Sequence, residues 1–412
     1  MARAQTVTGG REATGGVIRG RWALSVGKHE GPAPNGFSWR LLTDMARLES
    51  GHTPGRKTPS YWGGDIPWIG VRDATGHHGL VIHSTRETVT AEGIANSSAR
   101  VLPKGTVCLS RTASVGYVVM MGRPMATSQD FVNWVCGPDL NPHYLRYILM
   151  LEQESVRRFA HGTTHQTMYY PEAKALHVLV PMRALQDRIA GVLGALDDLI
   201  ETNQRLAGNC EALASALALT ADGQTPLHEL AVSPKYRAVM PVGPTALYSL
   251  PAFDAGRLPE AVDGNQIKSS KTPISSPAVL VSRLNPHIPR VWMAFPEPGS
   301  LSVTSTEFVL FEGEAAAVEE VWALCANPEY VAQMMGLVTG TTGSHQRVDK
   351  DALLKLSVPD VRRLPTTTRS AIVECVQQAE SAREEARVLR RTRDELLPLL
   401  LSGRVSVREV AA

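Results

Sequence analysis

The sequence predicts an α+β protein built from two pseudo-symmetric globular α/β halves, each followed by a long coiled-coil helix. One observation is a run of apolar residues whose spacing alternates between 4 and 3, which is typical of a coiled-coil seam. This first seam comprises Leu185, Ile189, Val192, Leu196, Leu199, Leu206, Leu213 and Leu217, with Asn203 and Cys210 at the same spacing. A second seam comprises Ile372, Cys375, Ala379, Ala382, Ala386, Leu389, Arg393, Leu396 and Leu400. Its positions lie 183 residues after their counterparts, so the two helices are predicted to pair.

A repeat in the segments that precede the helices is the second observation. Residues 279–283 (VLVSR) match 107–111 (VCLSR), and residues 304–309 match 127–132. Asn-Pro occurs at 141–142 and again at 327–328, and Gly-Thr-Thr occurs at 162–164 and 340–342. The offset drifts between 172 and 186 residues, which indicates a duplicated domain whose loops differ in length.

The first half shows a mixed order of elements. Short apolar and β-branched runs predict strands at 66–69, 106–110, 116–121 and 131–136. The spacing of Tyr144, Ile148 and Leu151 predicts a helix over 141–159, with Asn141 as its cap and Pro142 at its first position. A short helix after residue 166 and a strand at 177–180 complete the half. The second half, from about 226 to 359, is predicted to repeat this order.

The bulk composition excludes several classes of protein. A chain of 412 residues is long enough for two or three domains, and no apolar run approaches the roughly 18 residues that a membrane span needs. The five cysteines form no Cys-x-x-Cys pair, which fits a reducing cytoplasm. Residues 1–34 are rich in Gly, Arg, Thr and Ala without an apolar core, and are predicted to be a disordered leader rather than a secretory signal. The net charge of +2 means that any nucleic-acid surface must be local.

Common catalytic motifs are absent from the sequence. There is no phosphate-binding Gly-x-x-x-x-Gly-Lys loop, no Gly-x-Gly-x-x-Gly and no His-Glu-x-x-His. Residues 141–144 (NPHY) come close to the Asn-Pro-Pro-Tyr signature of adenine methyltransferases, but a capped helix start explains them better. The pair Asp197-Asp198 is interpreted as a solvated face of the first long helix. The polar seam residues Asn203 and Arg393 are given a structural role in register or pairing.

Two tracts without acidic residues are candidates for anion binding. Residues 93–129 contain the cations Arg100, Lys104, Arg111 and Arg123, and residues 264–296 contain Lys268, Lys271, Arg283 and Arg290 beside His287. The loops 163–166 and 341–347 add polar groups that can hydrogen-bond base edges, namely Thr163, Thr164, His165, Gln166, Ser344, His345, Gln346 and Arg347. For any one loop residue, a helix cap or turn remains the alternative, and Asn285 could either read an adenine edge or form an Asx turn before Pro286.

These features together resemble the specificity subunit of type I restriction–modification systems. In the first half the resemblance lies in Thr53-Pro54, in residues 61–69 (YWGGDIPWI), in 103–107 (PKGTV) and in 196–203 (LDDLIETN). In the second half it lies in residues 269–271 (SSK), 281–292 (VSRLNPHIPRVW) and 305–308 (STEF). The chain departs from the family in having Ser128-Gln129 where Asn-Gln is common, and in lacking an Asp-Asp-x-Ile-Glu block in the second helix.

The resemblance implies a non-catalytic subunit that reads a split, asymmetric DNA site through two target recognition domains joined by two long antiparallel coiled-coil helices. It implies a leader at 1–34, recognition domains at 35–181 and 221–361, spacer helices at 182–220 and 362–403, and a tail at 404–412. Ser270 joins the candidate DNA contacts. Two modification (methyltransferase) subunits and the restriction/translocase subunits are the implied partners, with S-adenosylmethionine, ATP and Mg²⁺ held by them and no cofactor in this chain.

Helix length gives this architecture a testable consequence. A helix of this length spans about 55 Å, so we expect it to set the unread gap between two half-sites. Inserting four residues into both helices should change the gap and leave the half-site sequences unchanged. Three alternatives remain open: a self-sufficient methyltransferase or nuclease, a coiled-coil scaffold without a DNA role, and an orphan recognition subunit whose partners are lost.

Overall fold

The computed structural model describes residues 16–29, 31–162, 166–296, 299–338 and 346–407. The chain divides into two units, of which unit 1 comprises residues 1–200 and 388–412 and unit 2 comprises residues 201–387. Two 36-residue helices, α7 (Arg183–Ala218) and α12 (Thr366–Leu401), each contribute one part to either unit. Among the described residues, no helix has the length and apolar content that crossing a membrane requires.

Unit 1 contains twelve of the described strands and six short helices besides its parts of α7 and α12. The strands are β1 (Ile18–Arg19), β2 (Leu24–Val26), β3 (Phe37–Leu41), β4 (Ala46–Ser50), β5 (Trp62–Ile69), β6 (Val81–Ile82), β7 (Glu87–Val89), β8 (Val107–Ser110), β9 (Val118–Met121), β10 (Ala126–Thr127), β11 (Phe131–Cys136) and β12 (Leu176–Pro181). The helices are α1 (Leu42–Met45), α2 (Val71–Gly76), α3 (Ala91–Ala95), α4 (Pro142–Leu151), α5 (Gln153–Phe159) and α6 (Tyr170–Lys174).

These strands form three sheets, with the orders β1-β2-β12-β3, β10-β5-β7 and β4-β11-β8-β9-β6. The strands predicted at 66–69, 106–110, 116–121, 131–136 and 177–180 are confirmed. The predicted helix 141–159 is also present, as α4 and α5. As expected, Asn141 caps α4, because its Oδ1 accepts the backbone N–H groups of His143 and Tyr144 at 2.8 and 3.1 Å. The main core of the unit packs Trp134 and Tyr144 against Leu193 of α7 and Leu400 of α12.

The prediction of a disordered leader is wrong for its described part. Residues 1–15 and 30 lie outside the described residues, but β1 and β2 extend the sheet of β12, and Leu24 and Val26 are buried in the core. The buried carboxylate of Glu152 accepts the backbone N–H groups of residues 21, 22 and 23. The composition of residues 1–34 could not reveal this order, because Glu152, which holds the segment in place, lies about 130 residues away and binds backbone groups.

Unit 2 contains ten of the described strands and four short helices. The strands are β13 (Gln224–Pro226), β14 (Ala231–Val232), β15 (Pro244–Tyr248), β16 (Glu260–Asp263), β17 (Thr272–Pro273), β18 (Ala278–Ser282), β19 (Val291–Ala294), β20 (Leu301–Thr304), β21 (Phe308–Gly313) and β22 (Ser357–Pro359). The helices are α8 (Leu250–Asp254), α9 (Val318–Cys325), α10 (Pro328–Gly336) and α11 (Lys350–Leu353). Single 3₁₀ turns lie at Pro59–Tyr61 in unit 1 and at Leu227–Glu229, Gly264–Gln266 and Val361–Arg363 in unit 2.

The sheets of unit 2 have the orders β13-β22, β14-β21-β18-β19 and β16-β15-β20-β17. The pairing of β18 with β19 and β21 repeats that of β8 with β9 and β11 in unit 1. Asn327 caps α10 as Asn141 caps α4. The main core packs Phe311, Trp322 and Tyr330 against Ala214 of α7 and Ile372 of α12.

The long helices run antiparallel within each unit. In unit 1 the beginning of α7 shares a core with the end of α12, and in unit 2 Ala207 of α7 packs against Ala379 and Ala382 of α12. The alanine run in α12 therefore allows the close approach that its sequence predicts.

The predicted seam of α7 is only partly observed, because its members Ile189 and Asn203 are buried whereas three of its leucines are exposed. Leu199, Leu206 and Leu213 are 48%, 38% and 51% exposed, whereas Ile200, Asn203, Ala207 and Ala214 are buried. Small side chains occupy the contact because the two backbones come close together over alanines, and the bulkier leucines lie beside it.

Asp197 also differs from its interpretation as a solvated residue. Its carboxylate accepts hydrogen bonds from Arg146 at 3.1 Å, Tyr147 at 2.6 Å and Arg393 at 2.8 Å, and its side chain is only 15% exposed. Burial raises the pKa of Tyr147, so the phenol keeps its proton for this hydrogen bond. Arg393 thus has the structural role expected of a charged seam residue.

Candidate nucleic-acid interface

The carboxyl end of β8 meets two other segments of unit 1 in an arrangement that we call the unit 1 corner, comprising residues 110–112, 128–130 and 166–168. The backbone N–H of Arg111 donates to the carbonyl of Asp130 at 2.7 Å, and the N–H of Met168 donates to the carbonyl of Arg111 at 2.9 Å. An isolated bridge joins Thr112 to Thr167. The predicted basic tract and the predicted polar loop are therefore brought together at Arg111.

In the unit 1 corner, the acid Asp130 is paired with hydroxyl groups and not with an arginine. The Asp130 carboxylate accepts the hydroxyl groups of Thr112 at 2.5 Å and Ser128 at 3.1 Å. Arg111 instead donates from Nε to the backbone carbonyl of Gln129 at 3.1 Å, and its guanidinium carbon lies 5.0 Å from the centre of the Tyr170 ring. Arg111 is half-buried, and among the described residues it forms no salt bridge with a carboxylate.

The unit 2 corner, comprising residues 282–285, 305–307 and 346–348, repeats this backbone. The N–H of Arg283 donates to the carbonyl of Glu307 at 3.0 Å, and the N–H of Val348 donates to the carbonyl of Arg283 at 3.0 Å. A bridge joins Leu284 to Arg347, as Thr112 is joined to Thr167. In both corners a serine hydroxyl accepts the N–H of the acid two residues later.

The side chains of the unit 2 corner pair differently. The Glu307 carboxylate binds Arg347 through two hydrogen bonds of 2.7 and 3.2 Å, and Nε of Arg283 lies 3.8 Å from its Oε2. Asn285 has a positive φ of 51° and donates its backbone N–H to the carbonyl of Gln346 at 2.8 Å. The buried Oδ1 of Asn285 accepts no hydrogen bond among the described residues, so the Asx-turn alternative gains no support.

Three further predicted cations of unit 1 are exposed outside the corner. The Arg100 side chain is 69% exposed and forms a salt bridge with Glu49 at 3.0 Å. Glu49 also contacts Arg47 at 3.2 Å. Lys104 lines an open groove of about 290 Å³ together with Arg183. Arg123 is exposed in the turn between β9 and β10.

In unit 2, Lys268, Ser270 and His287 are exposed, and Lys271 is half-buried with its Nζ donating to the Ser269 hydroxyl at 2.5 Å. The structure places these four predicted contacts on loops that flank β17 and follow β18.

Arg290 does not belong to the surface that the sequence predicted. It is buried and binds Asp254 through two hydrogen bonds of 2.7 and 2.8 Å. These bonds from Arg290 hold the pKa of Asp254 below its ordinary value. A guanidinium held in this way is a structural group, and the prediction that Arg290 contacts phosphate is wrong.

Part of each polar loop lies outside the described residues. Thr163, Thr164, His165, Ser344 and His345 fall in these segments. Of the remaining loop residues, Gln166 is exposed and Gln346 is half-buried, and each is part of its corner.

Sequence reasoning missed the acids of the two corners. Asp130 and Glu307 stand at equivalent positions directly before the phenylalanine that begins β11 or β21, and this repeat was the available signal. Arg56 was missed too. Its guanidinium carbon lies 3.8 Å from the Trp62 ring and 4.9 Å from Trp68, and its hydrogen bonds to Glu87 lower the pKa of that carboxyl.

Comparison with known proteins adds three findings on sequence. Residues 34–208 match a family model described as the type I restriction modification DNA specificity domain. The MjaIX specificity subunit of a type I restriction enzyme from Methanocaldococcus jannaschii is 29% identical over 192 residues, which are 46% of this chain and 44% of that protein. The HindI specificity subunit from Haemophilus influenzae is 26% identical over 126 residues, 31% of this chain and 27% of that protein. The matched stretch thus spans less than half the length of these relatives.

A solved structure extends the comparison of the fold. The S subunit of a type I restriction-modification system from M. genitalium superimposes with a TM-score of 0.56 over 88% of this chain and 96% of that chain. The sequence identity is 15%, so this likeness establishes the α+β fold with two globular parts and long helices.

Proposed function

We propose that this chain is a specificity subunit of a type I restriction–modification system and reads a bipartite, asymmetric site in double-stranded DNA. The match of residues 34–208 to a DNA specificity domain supports a reader in the first half. The observation that carries the second reader is the unit 2 corner, because it lies outside the matched residues and repeats the backbone hydrogen bonds of the unit 1 corner. The two recognition domains are residues 35–181 and 221–361.

Each corner supplies chemistry suited to DNA. Arginines such as Arg111 and Arg283 bind phosphate oxygens or the O6 and N7 atoms of guanine. Exposed cations elsewhere in the two units, such as Lys104 and Lys268, add sequence-independent attraction to the phosphate backbone.

In this role the chain is a non-catalytic subunit. Methyl transfer and cleavage then belong to two modification subunits and to restriction/translocase subunits, which hold S-adenosylmethionine, ATP and Mg²⁺. The helices 182–220 and 362–403 serve as spacer and as docking surface for the modification subunits. The three exposed leucines of α7, which are spaced by seven residues, support this docking, since an unpaired row of leucines on a helix is unfavourable in water.

The deciding experiment is expression of the chain with the modification subunits of its own system, followed by sequencing of methylated bases in the host genome. A bipartite adenine-methylated motif with an unread gap is the expected result. A stable complex without methylation would point to an orphan subunit. Failure to obtain either a complex or a motif would favour the scaffold alternative and contradict the proposal.

Charge reversal separates a DNA reader from a scaffold. Arg111→Glu and Arg283→Glu should each weaken binding of duplex DNA by the complex and reduce the slope of log K against log salt by about 0.9 for each lost phosphate contact. Arg19→Glu, an exposed arginine in β1, is the matched control and should leave binding unchanged. Equal effects at all three positions would mean that only net charge matters.

Docking on α7 has its own test. Replacing Leu206 and Leu213 by Gln should lower recovery of the modification subunits in co-purification at least tenfold, because two exposed apolar contacts are lost while the core of unit 2 is untouched. Unchanged recovery would mean that the modification subunits do not dock on this face of the helix.

A further inference from the structure

Two large apolar side chains are exposed close together on one loop of unit 2. Met240 is 57% exposed and Val242 is 66% exposed, whereas Pro241 between them is buried. We call Met240 and Val242 the apolar pair. Neither residue belongs to the hydrophobic cores that the described residues of unit 2 form. Single exposed apolar residues are common on protein surfaces, but a group of them indicates contact with another molecule.

The backbone that carries the apolar pair is fixed on both sides. Val239 and Lys271 exchange two backbone hydrogen bonds, at 2.9 and 2.8 Å, and the N–H of Gly264 donates to the carbonyl of Gly243 at 2.7 Å. Gly264 packs closely against this loop, because a Cβ atom there would lie 2.6 Å from the backbone nitrogen of Val242. The two side chains are thus held in place before any partner binds, which lowers the entropy cost of a contact.

Strand register places the apolar pair beside the unit 2 corner. β17 pairs with β20 in antiparallel fashion, with Thr272 opposite Thr304. The residues before Thr272 therefore lie past the carboxyl end of β20, where the corner residues 305–307 follow. Lys271 forms its backbone bonds with Val239, so the loop with the apolar pair is the next chain along this edge, about 5 Å further out.

The charges around the apolar pair are complementary to DNA. Residues 230–253 contain no acidic residue and include Lys235 and Arg237, both exposed. The facing tract that carries Lys271 also lacks acids, and Asp263 just before it caps a 3₁₀ turn. An apolar surface among cations next to a candidate DNA contact fits DNA better than the apolar core of a protein interface.

DNA presents one apolar group on its base edges in the major groove, the C5-methyl group of thymine. Apolar side chains distinguish thymine from the other bases by contact with this methyl group. Arg283 of the neighbouring corner has donors suited to guanine O6 and N7, which face the same groove. The apolar pair and the corner can therefore contact adjacent parts of one half-site.

We propose that Met240 and Val242 are specificity-determining residues, which contact a thymine methyl group in the half-site of the second recognition domain. The inference rests on the proposed DNA-reading function and deepens it, because it names the base and the group that is read. Lys235 and Arg237 add phosphate contacts without sequence preference. Removing one methyl group from such a contact corresponds to about a fourfold loss of affinity.

The test removes the methyl group from the DNA and the apolar pair from the protein in turn. The bipartite motif found by methylated-base sequencing is prepared as a duplex, and each thymine of either strand is replaced singly by deoxyuridine. The wild-type complex should bind about fourfold more weakly for one position, in the half-site whose recognition depends on Arg283. The double variant Met240→Gln, Val242→Gln should bind the unmodified duplex more weakly and show no further loss with deoxyuridine at that position.

Two further variants make the result specific. The double variant Met240→Leu, Val242→Ile keeps apolar side chains and should retain the sensitivity to deoxyuridine. Val17→Gln replaces a valine of unit 1 that is 41% exposed, and it should change neither affinity nor that sensitivity. The slope of log K against log salt should be equal in the wild type and in the glutamine double variant, because no phosphate contact is lost.

Equal sensitivity to deoxyuridine in the wild type and in the glutamine double variant would overturn the inference, since another group would then read the methyl group. Absence of any deoxyuridine effect in this half-site would also contradict it. Loss of modification subunits with unchanged DNA affinity would assign the apolar pair to a protein interface instead. If the wild-type complex gives no bipartite motif, it is the proposed function that fails, and the inference fails with it.

Discussion

Each unit contains an acid on helix α7 that binds one arginine of α12 and one arginine of the globular part. In unit 1, Asp197 binds Arg393 and Arg146, and the Arg146 side chain is only 4% exposed. Tyr147 adds a hydroxyl donor, so the carboxylate has three partners. The network connects both long helices to the core of the unit.

In unit 2 the same role falls to Glu211. It binds Arg383 of α12 and Arg257 of the globular part, the latter at 2.7 Å. The Arg257 side chain is 33% exposed, far more than Arg146 in unit 1. The two units thus repeat a way of fastening the helices, with different residues and different burial.

Burial decides how much each network matters. A charge left without its partner in a low-dielectric site costs several kcal/mol, whereas water replaces a lost partner at a partly exposed site. The comparison shows that duplicated domains can keep the same pattern of ion pairs while those ion pairs contribute more to the stability of one copy than of the other.

Unit 1 has a further buried acid, and its removal should have the largest effect. Glu152→Ala leaves three backbone N–H groups at residues 21–23 without their acceptor, so we expect a loss of about 4 kcal/mol in the stability of unit 1. Hydrogen exchange resolved to peptides measures this loss in each unit separately. Glu154→Ala, whose side chain is 80% exposed, is the control and should be nearly neutral. Similar losses for both variants would contradict this view of Glu152.

Asp197→Asn should have the next largest effect. We expect unit 1 to lose about 3 kcal/mol, because Arg146 would remain buried without its carboxylate. Asp198→Asn changes the exposed neighbouring residue and should leave hydrogen exchange unchanged. Equal effects at both positions would mean that Asp197 behaves as the solvated residue that the sequence indicated.

Glu211→Gln tests the counterpart in unit 2. A loss of about 1 kcal/mol is expected there, smaller than that of Asp197→Asn because Arg257 retains contact with water. Glu201→Gln, at an exposed position of the same helix, provides the baseline. A loss as large as in unit 1 would remove the difference between the two networks.

Acid should distinguish the units as well. Burial, with Arg157 and Arg393 nearby, lowers the pKa of His78 from 6.5 to about 4, and its Nδ1 accepts the backbone N–H of Val118 at 3.1 Å. The unfolded chain takes up this proton at higher pH than the folded chain. The contribution of neutral His78 to the free energy of unfolding is therefore complete above pH 6.5 and is lost as the pH falls toward 4.

His78→Asn keeps an acceptor but cannot titrate, so thermal melting of this variant should depend less on pH between 6.5 and 4. His287→Asn, an exposed histidine of unit 2, should retain the pH dependence of the wild type. Parallel curves for the wild type and His78→Asn would show that other groups control acid sensitivity.

Element order could be predicted from the sequence because alternation and helix caps are local signals. The contact line of α7 could be predicted only in part, since apolar ranking favours Leu199, Leu206 and Leu213 over the alanines that lie in the contact. Asp197 was misjudged for a related reason. Its partners Arg146 and Arg393 come from distant parts of the sequence.

The candidate site was predictable only in part. Arg111 and Arg283 were found because a strand followed by arginine occurs in both halves, and the structure places each at a corner. Arg290 occurs in the same kind of basic tract, yet it is buried and forms an ion pair with Asp254. Pairing between a cation and a distant acid is a property of the tertiary structure, so local charge patterns cannot reveal it.

The anchoring of β2 by Glu152 bears on how such a chain can be recombined. The carboxylate binds main-chain N–H groups, which every residue except proline carries, so it does not depend on the side chains at positions 21–23. A crossover near residue 35 would join the first residues of one gene to the recognition domain of another. The hybrid would keep its anchor as long as the recipient retained the glutamate. Exchange at this boundary would therefore keep the backbone anchor, provided that apolar side chains also fill the buried positions of Leu24 and Val26.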